Sequence, residues 1–179
     1  FVDLTIDFPP GVVVLYGDNA QGKTTLLEAI YLLAIARSFR AENEREVINF
    51  EAGTLGQQAL VGGSILKGDG VLSVIVGYQS SALSALETRD ANQARNKLGY
   101  SVRKQIRVNK IHRTASQLVG SVSAVLFSAD DIELVYGPPA GRPKYLDILI
   151  SQSDPAYVSC LQRYQKIVQN RNRLLKMIR

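Results

Sequence analysis

The residues best suited to chemistry stand together near the start of the chain. Gly17-Asp18-Asn19-Ala20-Gln21-Gly22-Lys23-Thr24 fits the pattern G-x-x-x-x-G-K-[ST] at every fixed position. Glycines let a loop curl until successive backbone N–H groups point inward at an anion. A helix that starts where the loop ends adds unpaired N–H groups and the positive end of its dipole. In such a loop the Lys23 ammonium is expected at the β- and γ-phosphates, and the Thr24 hydroxyl on magnesium. Thr25 follows, placed for the α-phosphate. The predicted site is therefore Gly17, Asp18, Asn19, Ala20, Gln21, Gly22, Lys23, Thr24 and Thr25, with ATP and Mg2+ as cofactors. The competing reading is a glycine-containing turn that happens to precede Lys-Thr-Thr. The flanking pattern argues against it: an apolar run comes before the loop and a helical pattern after it.

Those flanks must position the loop. Val12-Val13-Val14-Leu15-Tyr16 is apolar and β-branched, which predicts a strand buried on both faces. A helix is predicted from Lys23 to Ala36, with Leu26, Leu27, Ile30, Leu33 and Ala34 on one side. Ahead of them, Val2, Leu4, Ile6 and Phe8 alternate with Asp3, Thr5 and Asp7, the period of an edge strand that turns at Pro9-Pro10-Gly11. Residues 59–65, 71–78 and 101–109 read as strands of hairpins, and 80–99 as a loop or short helix. Ser123 to Phe127 is a second buried-type run. Gly137 to Gly141 is a break, and from Lys144 the pattern turns helical. There Tyr157, Leu161, Tyr164, Val168, Leu175 and Ile178 form one apolar stripe. This predicts a P-loop α/β head with a mixed sheet around the loop and an antiparallel β subdomain. The head spans 1–137, and the start of a helical lobe spans 138–179.

A phosphate loop alone does not hydrolyse ATP; an acid must complete the magnesium shell and a group must position water. Val125-Leu126-Phe127 leads towards Asp130 and Asp131, but Ser128 and Ala129 intervene. The serine and aspartates read as caps of a short helix running into Leu134. The expectation is nucleotide binding with little turnover, and no catalytic residue is assigned.

The chain has 179 residues, 46% hydrophobic and 21% charged, with mean hydropathy near zero, which is enough apolar content for a core. Its one cysteine, Cys160, excludes an internal disulfide framework and is expected on a core or helix face in a reducing compartment. No apolar run has the length of a membrane span and the start carries no signal-peptide pattern, so a cytoplasmic location and no membrane partner are expected. The chain begins at Phe1 and ends within a helical pattern, so both ends are expected to continue into something longer. The net charge of +5 favours polyanionic partners.

Where the positive charge sits is more telling. Arg163, Lys166, Arg171, Arg173, Lys176 and Arg179 follow Pro155 with no Asp or Glu among them. The first five are candidate DNA-backbone contacts, against the plainer reading of a solvated helix face. Arg103, Lys104, Arg107, Lys110, His112 and Arg113 form a second cluster on a hairpin-like stretch, a candidate DNA- or partner-facing patch; an ordinary exposed strand face is the favoured reading there. His112 has no partner at ligand spacing, so no metal role is expected. Arg40 is expected as a surface arginine paired with Glu42 or Glu44, against a loop arginine that faces nucleotide or DNA, and Glu28 is expected to be structural or solvent-facing. Tyr157 and Tyr164 are expected as core anchors of the stripe.

Tyr16 through Ile30 resembles the P-loop of the RecF family of bacterial recombination-repair ATPases. Ser38-Phe39-Arg40 resembles that family's next phrase. So does the stretch from Val125-Leu126-Phe127-Ser128 through Leu134-Val135 to Gly137, Pro139, Arg142 and Tyr145-Leu146-Asp147. Asp154-Pro155-Ala156-Tyr157, Tyr164-Gln165-Lys166 and Arg171 to Lys176 are similar to the start of its helical lobe. Ala129 stands where the family usually has proline, Pro138 replaces a small residue, and Pro143 breaks an Arg-Arg pair after Arg142. The family's signature motif and Walker B acid lie in a C-terminal half beyond the matched stretch.

The resemblance implies an ABC/SMC-type head that dimerises on ATP. It implies binding to single-stranded, gapped or junction DNA, and work with RecR and RecO to load RecA. Two other classes stay open from the residues: another P-loop NTPase, such as a kinase acting on a small substrate, and a partner-binding module without turnover. No Asn-Lys-x-Asp motif for reading guanine is present.

Overall fold

The computed structural model describes residues 1–68, 70–82, 100–139 and 141–178. Four strands form one antiparallel sheet in chain order: β1 (Gln58–Lys67), β2 (Gly70–Ala82), β3 (Tyr100–Val108) and β4 (Ile111–Arg113). The three strands predicted in this region are thus present, the first two with longer bounds and the third shifted by one residue. The stretch predicted as a loop or short helix lies for the most part, at 83–99, outside the described residues. β3 and β4 are joined through Asn109 and Lys110, both at positive φ (49° and 67°), as a two-residue hairpin turn requires. The Asn109 side chain accepts from the Ser73 N–H and its own N–H donates back to the Ser73 carbonyl, which ties the turn to β2.

The inner face of the sheet packs on helices. α1 (Lys23–Ile35) lies across β1 and β2, and α2 (Phe50–Thr54) and α3 (Ala115–Leu118) cover the rest. Leu32, Ala36 and Ile48 meet Val74, Val76, Tyr78, Ile106 and Leu118 in one core. At Gly63 the helix comes so near that an added Cβ would stand 2.7 Å from Leu33 Cδ1. Only the C-terminal half of α1 takes part. Leu27 and Ile30, predicted on the buried side, are exposed, because the sheet reaches no further along the helix. A 3-10 turn at Ala129–Ile132 leads into α4 (Glu133–Tyr136). α5 (Gly141–Ser153) and α6 (Pro155–Met177) follow. α5 starts before the predicted Lys144 because Pro143 falls in its first turn, where the missing N–H would have had no partner.

The architecture is that of a P-loop α/β domain with an antiparallel β unit. Three expectations are corrected. Residues 2–8, 12–16 and 123–127 are not strands, and Val12 and Val125 are 94% and 77% exposed rather than buried. A strand exists only where a neighbour takes up its N–H and C=O groups, and no strand of the sheet pairs with these runs. The mixed sheet predicted around the loop is accordingly absent among the described residues. The apolar stripe of α6 is also less buried than predicted: Val158 is buried and Leu161 half-buried, but Tyr164 is 65% exposed. α6 packs mainly on α5 and α3.

Candidate functional site

The loop from Gly17 to Gly22 enters α1 through a backbone that glycine makes accessible. Gly17 has φ 138° and Gly22, the N-cap residue, φ 87°. Ala20 also stands at positive φ, 65°, so the curl is present at three of the six loop positions. No side chain caps the helix start and no acid lies in its first turn. The N–H groups that open α1 are therefore left to an outside acceptor, and nothing negative on the helix competes with an anion for its dipole. The Lys23 ammonium bends back over the loop, donating to the carbonyl of Gly17 at 2.7 Å and of Asp18 at 2.5 Å. Its charge thus stands on the loop side of the helix end, where phosphate oxygens would replace the two carbonyls as acceptors. Thr24 and Thr25 are exposed beside it.

A second cluster lies one turn along. Glu28 is four residues beyond Thr24, on the same helix face, and helical side chains lean towards the N-terminus. Its carboxylate accepts the Ser38 hydroxyl and stands 4.0 Å from the Arg40 guanidinium. The Ser38 oxygen in turn accepts the N–H groups of Arg40 and Ala41, at 3.0 and 2.8 Å. Arg40 was expected beside Glu42 or Glu44; it pairs with Glu28 instead, because Glu44 is taken by Lys104. Lys104 also donates to the Ala36 carbonyl at 3.0 Å, closing the C-terminal end of α1. Sequence spacing shows neither link, since both join residues from different elements.

The family model described as AAA domain matches residues 1–118. The chain belongs to the AAA domain family. Its sequence is of RecF type. It is 40% identical to a DNA replication and repair protein RecF from Herpetosiphon aurantiacus, over 98% of this chain and 44% of the relative. To RecF proteins from Roseiflexus castenholzii and Symbiobacterium thermophilum it is 43% and 40% identical, over 97% of this chain and 42% and 40% of theirs. The chain spans about two fifths of the length of these curated relatives. No solved structure matches it.

For an AAA domain the chain's own residues fit a nucleoside triphosphate. An acid-free helix start, glycines at positive φ and one lysine suit its phosphates, and the Thr24 hydroxyl is the oxygen the protein would give to magnesium. No group of three or more His, Cys, Asp or Glu that could hold a metal by itself occurs among the described residues. Asp131 is engaged elsewhere: its Oδ2 accepts the Ser128 N–H at 2.5 Å and the Ser128 hydroxyl at 3.1 Å. The bond closes the start of the 3-10 turn, whereas α4, expected to be capped by these residues, has Ile132 at its N-cap and no side-chain cap. Asp131 also raises the Tyr31 pKa, after burial, which is the larger cause.

The five candidate DNA contacts, Arg163, Lys166, Arg171, Arg173 and Lys176, are all exposed along α6. They share one helix and are not brought to the phosphate loop by any described contact. Cys160 is exposed on the same helix. Tyr157 is half-buried and donates to Asp147 Oδ1 at 2.5 Å, a bond that raises its pKa. Arg142 donates to the Leu134 and Val135 carbonyls at 2.7 and 2.9 Å and so closes the end of α4, leaving its neighbour Pro143 exposed. No helix of the described residues is long and apolar enough to cross a membrane.

Proposed function

We propose that the chain binds ATP with magnesium at Gly17 to Thr25 and serves DNA replication and repair as the RecF proteins do. The observation that carries this reading is the Gly17–Gly22 curl running into the uncapped start of α1 with Lys23 folded over it. The names of the relatives support the biological setting. In this reading residues 1–137 belong to an ATPase head and 138–179 begin a helical lobe. The site works by electrostatics: Lys23 and the first N–H groups of α1 hold the phosphates, and Thr24 orients the metal. Bound nucleotide brings two copies together, and the pair binds single-stranded, gapped or junction DNA in the cytoplasm, with Arg163, Lys166, Arg171, Arg173 and Lys176 among the contacts. RecR and RecO are its partners and RecA loading the outcome. Turnover by the chain is slight, since Asp131 is held by Ser128.

Thermal unfolding with and without Mg-ATP, for the unaltered chain and Lys23→Ala, tests the nucleotide site. Ligand at one hundred times its dissociation constant stabilises a fold by about 2.7 kcal/mol. The unaltered chain is expected to gain a higher melting temperature and the variant to gain none while unfolding as cooperatively. An equal gain in both, or a gain in neither, would remove the assignment. Rapid Mg-dependent release of phosphate by the purified chain would contradict the turnover reading.

A further inference from the structure

The four strands of the sheet contain no aspartate or glutamate, yet they carry Lys67, Arg103, Lys104, Arg107 and Arg113. Register and burial divide these charges. Tyr100 and Ile106 are buried on the inner face of β3 and Lys104 turns inward with them, to Ala36 and Glu44. Arg103, Gln105 and Arg107 point the other way and are exposed. Across the ladders, Arg103 stands opposite Gln79, Gln105 opposite Gly77, and Arg107 opposite both Ile75 and His112. Gly77 and Gly62 lie on this same face, and beside them only the Leu60 side chain would come within 4.0 Å of the Cβ that Gly77 lacks, apart from the Gln105 backbone. The middle of the face is therefore low and its β3–β4 side is basic. Lys110 is exposed in the turn at the end of that side, held in place by Asn109 and Ser73.

We propose that this outer sheet face docks the phosphate backbone of double-stranded DNA, with Arg103 and Arg107 as its principal contacts. The proposal rests on the DNA-binding reading above and gives it a surface separate from α6. Complementarity of charge carries it: a rigid row of exposed guanidinium groups on a sheet without a carboxylate. Four residues of extended strand separate the two arginines by roughly 14 Å, and each strand of duplex DNA offers a phosphate about every 3.4 Å of axis, so both arginines can reach phosphates of one strand. A duplex fits better than a single strand. Single-strand surfaces rely on aromatic platforms for the bases, and both strand tyrosines, Tyr78 and Tyr100, are buried on the opposite face. The face thus offers charge and amide groups for a backbone, and His112 is the one ring among the strand residues turned to it.

The test is fluorescence anisotropy with a labelled blunt duplex, in the presence of Mg-ATP, over a series of salt concentrations. It compares the unaltered chain, the double variant Arg103→Gln/Arg107→Gln, and Arg171→Gln/Arg173→Gln on α6. Each phosphate contact contributes about 0.9 to the slope of log affinity against log salt. The sheet variant is expected to lose about tenfold or more in duplex affinity at low salt and to flatten the slope by about 1.8, with an unchanged melting temperature. Unchanged affinity and slope in that variant, or a loss found only in the α6 variant, would overturn the sheet-face inference and leave DNA binding standing. If the unaltered chain bound neither duplex nor gapped or single-stranded probes, the DNA reading itself would fall, and this inference with it.

Discussion

The Ser38 hydroxyl donates to the Glu28 carboxylate while its oxygen accepts two backbone N–H groups, from Arg40 and Ala41. One buried side chain thus fastens the loop after α1 to α1 itself. Glu28 has only 15% of its side chain exposed, so its charge depends on Ser38 and Arg40 for compensation. Losing a partner of a buried polar group costs about 1–3 kcal/mol. Ser38→Ala is expected to lower stability by that amount in urea unfolding, with an unchanged denaturant slope, and to loosen Arg40. Wild-type stability in this variant would show that solvent already serves the carboxylate.

Lys104 distinguishes structure from surface within the basic strand. Its ammonium, on a side chain 19% exposed, joins the Ala36 carbonyl and Glu44. It meets the carbonyl end of α1, where a cation is favoured. Lys104→Met is expected to reduce stability by about 1–2 kcal/mol and to leave the DNA affinity of the folded chain unchanged. Arg103 and Arg107, on the other face, are expected to do the reverse. Weakened DNA binding in a Lys104 variant of normal stability would mean that the ammonium reaches the outer face.

Gly53 sets two effects against each other. It lies inside α2, where alanine is ordinarily favoured by about 1 kcal/mol. A Cβ there would stand 2.5 Å from Cζ of Tyr100 and 2.6 Å from its hydroxyl oxygen. Tyr100 is buried, so its ring has little room to retreat. Overpacking of a filled core costs about 1–3 kcal/mol, more than the helix gains. Gly53→Ala is therefore expected to melt at a lower temperature than the unaltered chain; a higher one would mean that the ring moves freely.

What the sequence disclosed follows from the range of the forces involved. The curled loop before α1 was legible because its geometry is local: glycines, a helix start and a lysine within eight residues. The helix predicted to end at Ala36 ends there as its C-cap, at φ 56°, and the hairpin strands agree because alternation and turn residues are also local. Val12–Tyr16 and Ser123–Phe127 have equally good strand patterns, but a pattern supplies no neighbour to complete the ladder. The partners of Arg40 and Lys104 were out of reach for the same reason. Glu42 and Glu44 are nearer to Arg40 in sequence, yet the fold brings it Glu28. The inward turn of Lys104, one residue from Arg103, emerged only once the register of β3 was fixed.

Tyr78 ties the sheet core to alkaline pH. It is buried between the sheet and α1, and burial, followed by the nearby charges of Glu44 and Glu28, pushes its hydroxyl pKa well up. In the unfolded chain a tyrosine titrates near pH 10. A group whose folded pKa is raised contributes stability that is whole below its unfolded value and is lost as pH rises beyond it. Between about pH 9 and 11 the unaltered chain is therefore expected to lose more melting temperature than Tyr78→Phe, which has no proton to release there. Lysines titrate in the same range but do so in both proteins, so the difference between the two curves isolates the hydroxyl. Parallel curves would mean that Tyr78 ionises as readily in the folded chain as in the unfolded one, and that the core beneath α1 admits water.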